Sequence, residues 1–542
     1  MQRISRYGGN LPRPPQSDTT ILLVEPSAGF NSSQPMTDLQ PGQTPYSRNL
    51  LFREGGMELR PTLSQYTGNP KLVDFVTGGM AVVSSVGSNL PLISGTTQFA
   101  YYSTGSWSLL SYISTAGGDA PPSGNTKQYY DMVQSYYPTA DEMVALAACE
   151  SYQTIFAWQA GAAVFSSVTS APRARYLATV DNFVLAANVK DSSSQSKYIQ
   201  RVQWSDRGDP LVWLAASDNL AGFEDLLAAQ GGITRLMVQD ERVIIFFERE
   251  IWQGVRTTGA TSFQFSPLDK TVGCPYGRTV AQTPLGLMFL GRDLMVYLLP
   301  KGGGVATPIG YPVRRHLQNR IDSPQNAWAT FDQPTNTFRL YYPTIAGTGL
   351  PTEAVWLNLG ENAWAPQNFA FNLTHGFQSQ DDNVYSGVTW GGITGTWGSM
   401  TSTWEQLAGS GSAGRAASAI GTSDGTMYFD SMNTMDDTVP VRGIWRSQGL
   451  GADTPGRVKN LRTIRMDYQS NGLSGVTIAA SPDQGVTFYT GQRVSAPQTA
   501  TEACVDAYPY CTALYPSFQL EMDDSGLRVF RFWIEQREGG RP

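Results

Sequence analysis

Residues 286–304 read GLMFLGRDLMVYLLPKGGG, two apolar runs on either side of Gly-Arg-Asp followed by a glycine triplet. The pattern spells a strand, a tight polar turn and a second strand. What constrains the chain most is that this sentence recurs. "YQTIFAWQAGAAVFSSV" turns at Ala-Gly-Ala, "RYLATVDNFVLAANV" at Asp-Asn and "ITRLMVQDERVIIFFEREIWQGV" at Gln-Asp-Glu-Arg. "WATFDQPTNTFRLYYP" turns around Pro334, "EAVWLNLGENAWAP" at Leu-Gly-Glu-Asn and "IGTSDGTMYF" at Asp424-Gly425. "KLVDFVTGGMAVVSSV" reads as strand, Gly-Gly turn, strand; "FAYYSTGSWSLLSYI" turns at Thr-Gly-Ser and "HGFQSQDDNVYSGV" at Asp381-Asp382. Between residues 175 and 430 such hairpins return at intervals of roughly 45–60 residues, the span of one four-stranded propeller blade. The expectation is an all-β chain: an irregular β-propeller of about six blades, with a set of β-sandwiches as the alternative.

The texture changes at both ends. Residues 1–45 are rich in Pro, Gly, Ser and Gln around one strand-like stretch, "TTILLVEP", and read as an extended arm. The propeller is expected over 46–445. It carries a helix near 139–150, where Thr139 can cap "TADEMVALAACESY" and Glu142 sits at capping-box spacing, and a Gly/Ser-rich loop near 393–415. Over 446–542, "LRTIRMDYQS", "GVTIAASPDQGVTFYTG" and "LRVFRFWIEQ" alternate apolar and polar residues, which predicts an antiparallel sandwich or sheet.

Charge and cysteines exclude several function classes. The net charge is −7 with no basic stripe, which argues against a sequence reader of nucleic acid. No apolar leader opens the chain, and no run is long enough for a membrane helix, so the chain is expected to fold in a cytosol without a membrane anchor. Of the four cysteines only Cys504 and Cys511 lie close in sequence and form a candidate disulfide; Cys149 and Cys274 remain as spare thiols.

Few motifs carry chemistry. The two histidines, His316 and His375, lie in no metal or triad motif and read as hydrogen-bonded loop histidines. "GSGSAG" at 409–414 matches G-x-G-x-x-G, but neither a buried strand before it nor a helix after it supports nucleotide binding. The acid pairs Asp381-Asp382, Asp436-Asp437 and Asp523-Asp524 sit in turn-like sequence and read as solvated acids. Ser481, Asp483, Gly485, Thr487 and Phe488 spell an Asp-box, S-x-D-x-G-x-T-F, found in sialidases and other propellers. Its physics is structural, with Asp483 bonding turn amides, Gly485 supplying positive φ and Phe488 anchoring the hairpin. A sialidase would also need an arginine cluster and a Tyr-Glu pair, and no spacing identifies such a set. No catalytic residue, metal site or cofactor is assigned.

The stretch 262–317 resembles a block of the tail nozzle, or packaged-DNA stabilisation, proteins of short-tailed phages. Gly273, Cys274, Gly291, Asp293 and Tyr297 are the matching positions; Trp356 and Trp364 are similar to the family's next blade, and "PYSRNLLFREGGMELRP" to its entry segment. The resemblance implies a non-enzymatic virion protein, assembled in the host bacterial cytoplasm. Six copies would ring the tail axis as a homohexamer beneath the portal and adaptor. Tail fibres or spikes and a tail tip or needle are implied as further partners. Packaged double-stranded DNA would pass without sequence-specific binding, and an acidic wall suits sliding phosphates. Two other readings stay open: a carbohydrate-binding or carbohydrate-active propeller, motivated by the Asp-box and the many Trp and Tyr, and a non-viral recognition or scaffold propeller.

Overall fold

Between residues 60 and 441 the apolar runs assemble into seven sheets of four strands, one of them extended by a fifth. The computed structural model describes residues 19–539 apart from 67–73, 86, 104–105, 114–120, 124, 127, 192–194, 259–261, 382–414, 432–433, 452–455, 473 and 500. The innermost strands are Gly78–Val83, Tyr130–Tyr137, Arg173–Val180, Ile233–Gln239, Ala281–Thr283, Trp328–Asp332 and Leu373–Asp381, one per blade. Successive inner strands lie against each other, with the turn Gly277–Thr279 making the contact from blade 4 to blade 5, and the seventh returns to the first. This closed ring is a β-propeller.

Closure comes from the start of the segment. Thr62–Gln65 pairs with Met427–Ser431 as the outermost strand of blade 7, whose other strands come from the far end of the unit. Arg60, fully buried, grips Asp436 with both guanidinium nitrogens, and the Asp436 Oδ1 also accepts the Leu63 N–H at 2.9 Å. Apolar layers fill the gaps between blades. Tyr176, Phe183 and Trp204 of blade 3 meet Leu236, Ile245 and Phe263 of blade 4. Ile244 and Phe246 meet Leu287 and Phe289 in the next layer. Strands buried on both faces explain the near-continuous apolar runs.

Turn chemistry behaves as the hairpins predict. Val180 pairs with Phe183 across Asp181-Asn182, and Gln239 with Arg242 across Asp240-Glu241. All four turn residues have positive φ, as a two-residue turn matched to strand twist requires. Three expectations are corrected. Glu142–Cys149 is a strand of blade 2, not a helix: it pairs with Tyr130–Tyr137 on one side and Phe156–Gln159 on the other, and burial there outweighs helix propensity. Counting it brings the blades to seven. Gly78-Gly79 is no turn but the start of an inner strand, and a Cβ on Gly79 would stand 2.4 Å from the Phe377 ring. Tyr311–Arg320, with Pro312 in its first turn, is the one α-helix among the described residues. The Gly/Ser-rich loop, "GSGSAG" and Asp382 lie outside the described residues.

The second unit comprises residues 1–59 and 442–542, so the entry segment, expected in the propeller, belongs here up to Leu59. One sheet has seven strands, built around Lys459–Ser470 and Leu527–Glu538; Thr19–Val24 pairs along the latter, so the arm supplies a strand. The other sheet has five, with Ser517–Met522 between Gly443–Arg446 and Ser474–Ser481. Trp445 and Phe518 of the second pack on Phe532 of the first, making an antiparallel sandwich.

Blade docking is tightest at Gly277, where an added Cβ would fall 1.9 Å from the Thr234 carbonyl oxygen. Gly277→Ala is expected to destabilise the propeller by about 3 kcal/mol, because backbone must move. Gly232→Ala, whose Cβ would make only ordinary contacts with Ile199 at 3.6 Å and Glu248 Oε1 at 3.8 Å, is expected to be near neutral. Urea denaturation of the two variants checks this.

Candidate functional site

Inner strands spend their apolar faces on neighbouring blades, so polar side chains are left to gather on the axis. There Tyr129, Asp131, Glu150, Arg175, Tyr176, Arg235, Arg278, Trp328 and His375 line a cavity of about 170 Å³. Arg175, Arg235 and His375 are each the third residue of an inner strand, and Arg278 lies in the short 3-10 turn before another.

Each arginine is held in place by part of its own guanidinium. Arg235 Nη1 donates to Asp131 Oδ1 at 2.8 Å, and the other Asp131 oxygen accepts the Leu177 N–H at 2.9 Å. Arg278 donates through Nη2 to the Thr374 carbonyl and lies flat on Tyr129, its Cζ 3.3 Å from the ring centre. Arg175 sits over the rings of Tyr152 and Tyr176, at 5.7 and 5.5 Å. Three buried donors remain: the Nε of Arg175, the Nε of Arg235 and the Nη1 of Arg278 have no hydrogen-bond acceptor among the described residues.

The electrostatics favour a positive pocket. Burial pulls the Arg175 pKa down, but Tyr176, Glu150 and Tyr152 beside it more than offset this, and the net shift is upward. Burial pushes the Asp131 carboxyl up, against the pull of Arg235. His375 Nε2 donates to the Gly79 carbonyl at 3.3 Å, and burial together with the Arg278 and Arg235 charges holds its pKa down at about 3. It is therefore neutral at pH 7, and the positive charge is the arginines' own.

The residues singled out in the sequence fall elsewhere. Gly273, Cys274, Gly291, Asp293 and Tyr297 build the turns leading into and through blade 5. The Cys274 N–H donates to the Phe247 carbonyl at 2.9 Å, and Tyr297 bonds Asp293 at 3.2 Å while its ring covers Gly291, leaving no room for a Cβ. A Cβ on Gly273 would stand 2.4 Å from the Arg249 backbone. Burial raises the Cys274 thiol to about 12, which makes it inert at neutral pH. The Asp-box lies in the sandwich. Thr487 donates both N–H and hydroxyl to Asp483, at 2.8 and 2.6 Å, and the Gly485 N–H reaches Ser481 Oγ at 2.8 Å. Phe488 is half-buried under the Arg446 guanidinium rather than set in a core.

Cys504 and Cys511 are free thiols. They pair with Asp467 and Leu461 of one long strand, six positions and so roughly 20 Å apart, which no disulfide spans. His316 lies on the helix, 2.9 Å from the Tyr342 hydroxyl, and His375 on a strand, so neither is a loop histidine. Asp436 is buried and ion-paired, not solvated. No cluster of three or more metal-ligating side chains occurs among the described residues.

The arginine cluster was out of reach of spacing, since its members come from three blades. Only aligning the blades, strand start on strand start, would have superposed Arg175 and Arg235.

No family model and no curated protein matches the chain. Among solved structures it is similar to the exo-β-1,3-galactanase of Phanerochaete chrysosporium. Bound to galactose, that enzyme is 9% identical over 87% of this chain and 100% of that one, with a TM-score of 0.25. A variant bound to β-1,3-galactotriose is 8% identical over 87% and 99%, with a TM-score of 0.26. The expectation that this chain is not an enzyme is corrected by that finding, because the solved structures named here are those of an enzyme. At these scores the likeness carries no argument about what this chain binds.

Both histidines are held neutral by burial, His316 with a pKa lowered to about 4 and His375 to about 3. The unfolded chain binds these protons near pH 6.5, so stability present above that value falls as the pH drops toward 4, by up to about 1.4 kcal/mol per pH unit for each histidine. Asp430, buried against Arg339 and raised to about 6, works the other way: the folded chain takes up that proton first, so falling pH favours the fold through it. Asp131 and Glu224, also raised by burial, act with Asp430, whereas Asp332 and Asp269, held low by their hydrogen-bond donors, act with the histidines. Urea midpoints are expected to fall between pH 7 and 4.5, and to fall less steeply in His375→Asn.

Proposed function

We propose that this chain is a carbohydrate-binding or carbohydrate-active β-propeller whose axial cavity is the saccharide site. One observation carries the reading: the aromatic side chains Tyr129, Tyr176 and Trp328 line, together with a ring of polar groups, a single cavity on the propeller axis. Sugars pair apolar ring faces with hydroxyl edges, and a site offering both in a confined space fits them. The volume suits one sugar ring rather than an extended chain. The test is calorimetry of the full chain against a panel of mono- and oligosaccharides, with reducing-end release followed in the same samples. One saccharide class is expected to bind one-to-one. Tyr176→Phe, which keeps the ring in its apolar layer, is expected to weaken binding about fivefold, the worth of one hydrogen bond. Absence of binding by every saccharide would sink the reading.

The virion tail-nozzle reading has one observation in its favour. The positions that carry that resemblance are contiguous in the fold: from the outermost strand of blade 4, Phe263–Asp269, the Gly273-Cys274 element leads into blade 5, which holds the Gly291–Tyr297 hairpin and the glycine turn at 302–304. Native mass and negative-stain imaging test it. A sixfold ring is expected on this reading, and a persistent monomer that ignores a portal–adaptor complex would remove it.

A further inference from the structure

We propose that the axial cavity is a carboxylate clamp, and that the saccharide it takes is an acidic one, such as a uronic or other carboxylated sugar. The proposal rests on the saccharide reading for the sugar and on the arginines for the charge. Three guanidinium groups from three different blades each keep one buried N–H without an acceptor: Arg175 Nε, Arg235 Nε and Arg278 Nη1. A buried charged donor left unpaired is unfavourable, and such groups in native folds call for a partner. The groups are also pre-organised. Asp131 fixes Arg235, the Thr374 carbonyl and the Tyr129 ring fix Arg278, and Tyr152 and Tyr176 flank Arg175. Little side-chain freedom remains to be lost when a ligand arrives.

The charges select the ligand's sign and size. Three guanidiniums face two carboxylates, Asp131 and Glu150, which leaves one positive charge in excess. A singly charged carboxylate neutralises it, and its two oxygens suit planar N–H donors. Asp131 does not compete, because its oxygens already accept from Arg235 and the Leu177 N–H. Glu150 lies near enough to raise the Arg175 pKa, yet the Arg175 Nε stays unpaired. Its carboxylate lines the same cavity and can accept sugar hydroxyls. That pairing of cationic donors with an anionic acceptor describes a carboxylate flanked by hydroxyls. His375, neutral and bonded to Gly79, adds no charge.

The test uses the full chain and three probes in calorimetry: glucuronate against glucose, N-acetylneuraminate against neutral N-acetylated sugars, and malonate as a carboxylate without a sugar. Acidic sugars are expected to bind at least tenfold tighter than their neutral counterparts. Arg175→Met and Arg278→Met are each expected to weaken acidic sugars at least tenfold and neutral ones little. Melting curves confirm that the variants fold, and the wild-type comparison stands without them. Equal affinity for acidic and neutral sugars would overturn the clamp and leave the saccharide reading intact. Malonate binding that is lost in Arg175→Met, with no sugar bound, would keep the clamp and remove the saccharide. Binding by none of the probes overturns both.

Discussion

A propeller depends on its ring closing. Each blade has two apolar faces, and each face is covered only if a neighbour stands beside it. An open ring would leave two sheets of aromatic and aliphatic side chains in water. Closure here joins Thr62–Gln65 to Met427–Ser431, strands from opposite ends of the unit, and Arg60 locks the junction through Asp436. Replacing water around that guanidinium is costly, and the geometry offsets it with a bidentate pair, the Pro61 carbonyl and the face of Phe369 at 4.3 Å. The pair also specifies register, because only the correct seam brings the Asp436 oxygen to the Leu63 N–H.

The neighbouring junction uses a related device. Arg339, fully buried in blade 6, bonds Asp332 of its own blade at 2.8 Å and Asp430 of blade 7 at 2.6 Å, and stacks on Trp356 at 4.0 Å. Ser418 of blade 7 donates to the other Asp332 oxygen at 2.7 Å. Elsewhere the blades are joined mainly by apolar layers, which tolerate sliding. The two arginines among the largest fully buried side chains, Arg60 and Arg339, therefore sit where the ring closes and where blades 6 and 7 meet, the places where a misfit would propagate around the circle.

The sequence reveals what is local and hides what is circular. Asp181-Asn182 and Asp240-Glu241 were legible as turns because positive φ is a property of two adjacent residues. The sandwich strands were legible from their alternation. Glu142–Cys149 was misread because its helix-like composition is a local preference, while its burial between two partner strands is not. Gly78-Gly79 looked like a turn because the ring of Phe377, some 300 residues later, is what forbids a side chain there. Pro312 was a legible helix start that the strand pattern drowned out. The axial arginines left no spacing at all: their meeting is a consequence of seven-fold closure, which no window along the chain contains.

That closure also accounts for a positive site on a chain of net charge −7. Global charge acts through solvent, where ions at physiological strength screen it beyond about 8 Å. The cavity's field acts within a few ångströms, at low local dielectric, between groups whose orientation is already fixed. The local term therefore decides what binds, and the global one only how fast an anion approaches. The inner strands and the turn before the fifth bring Arg175, Arg235 and Arg278 together in the cavity at the centre of the propeller, where protein surrounds each guanidinium. The ring that buries the apolar faces is thus the same ring that concentrates cations at its centre.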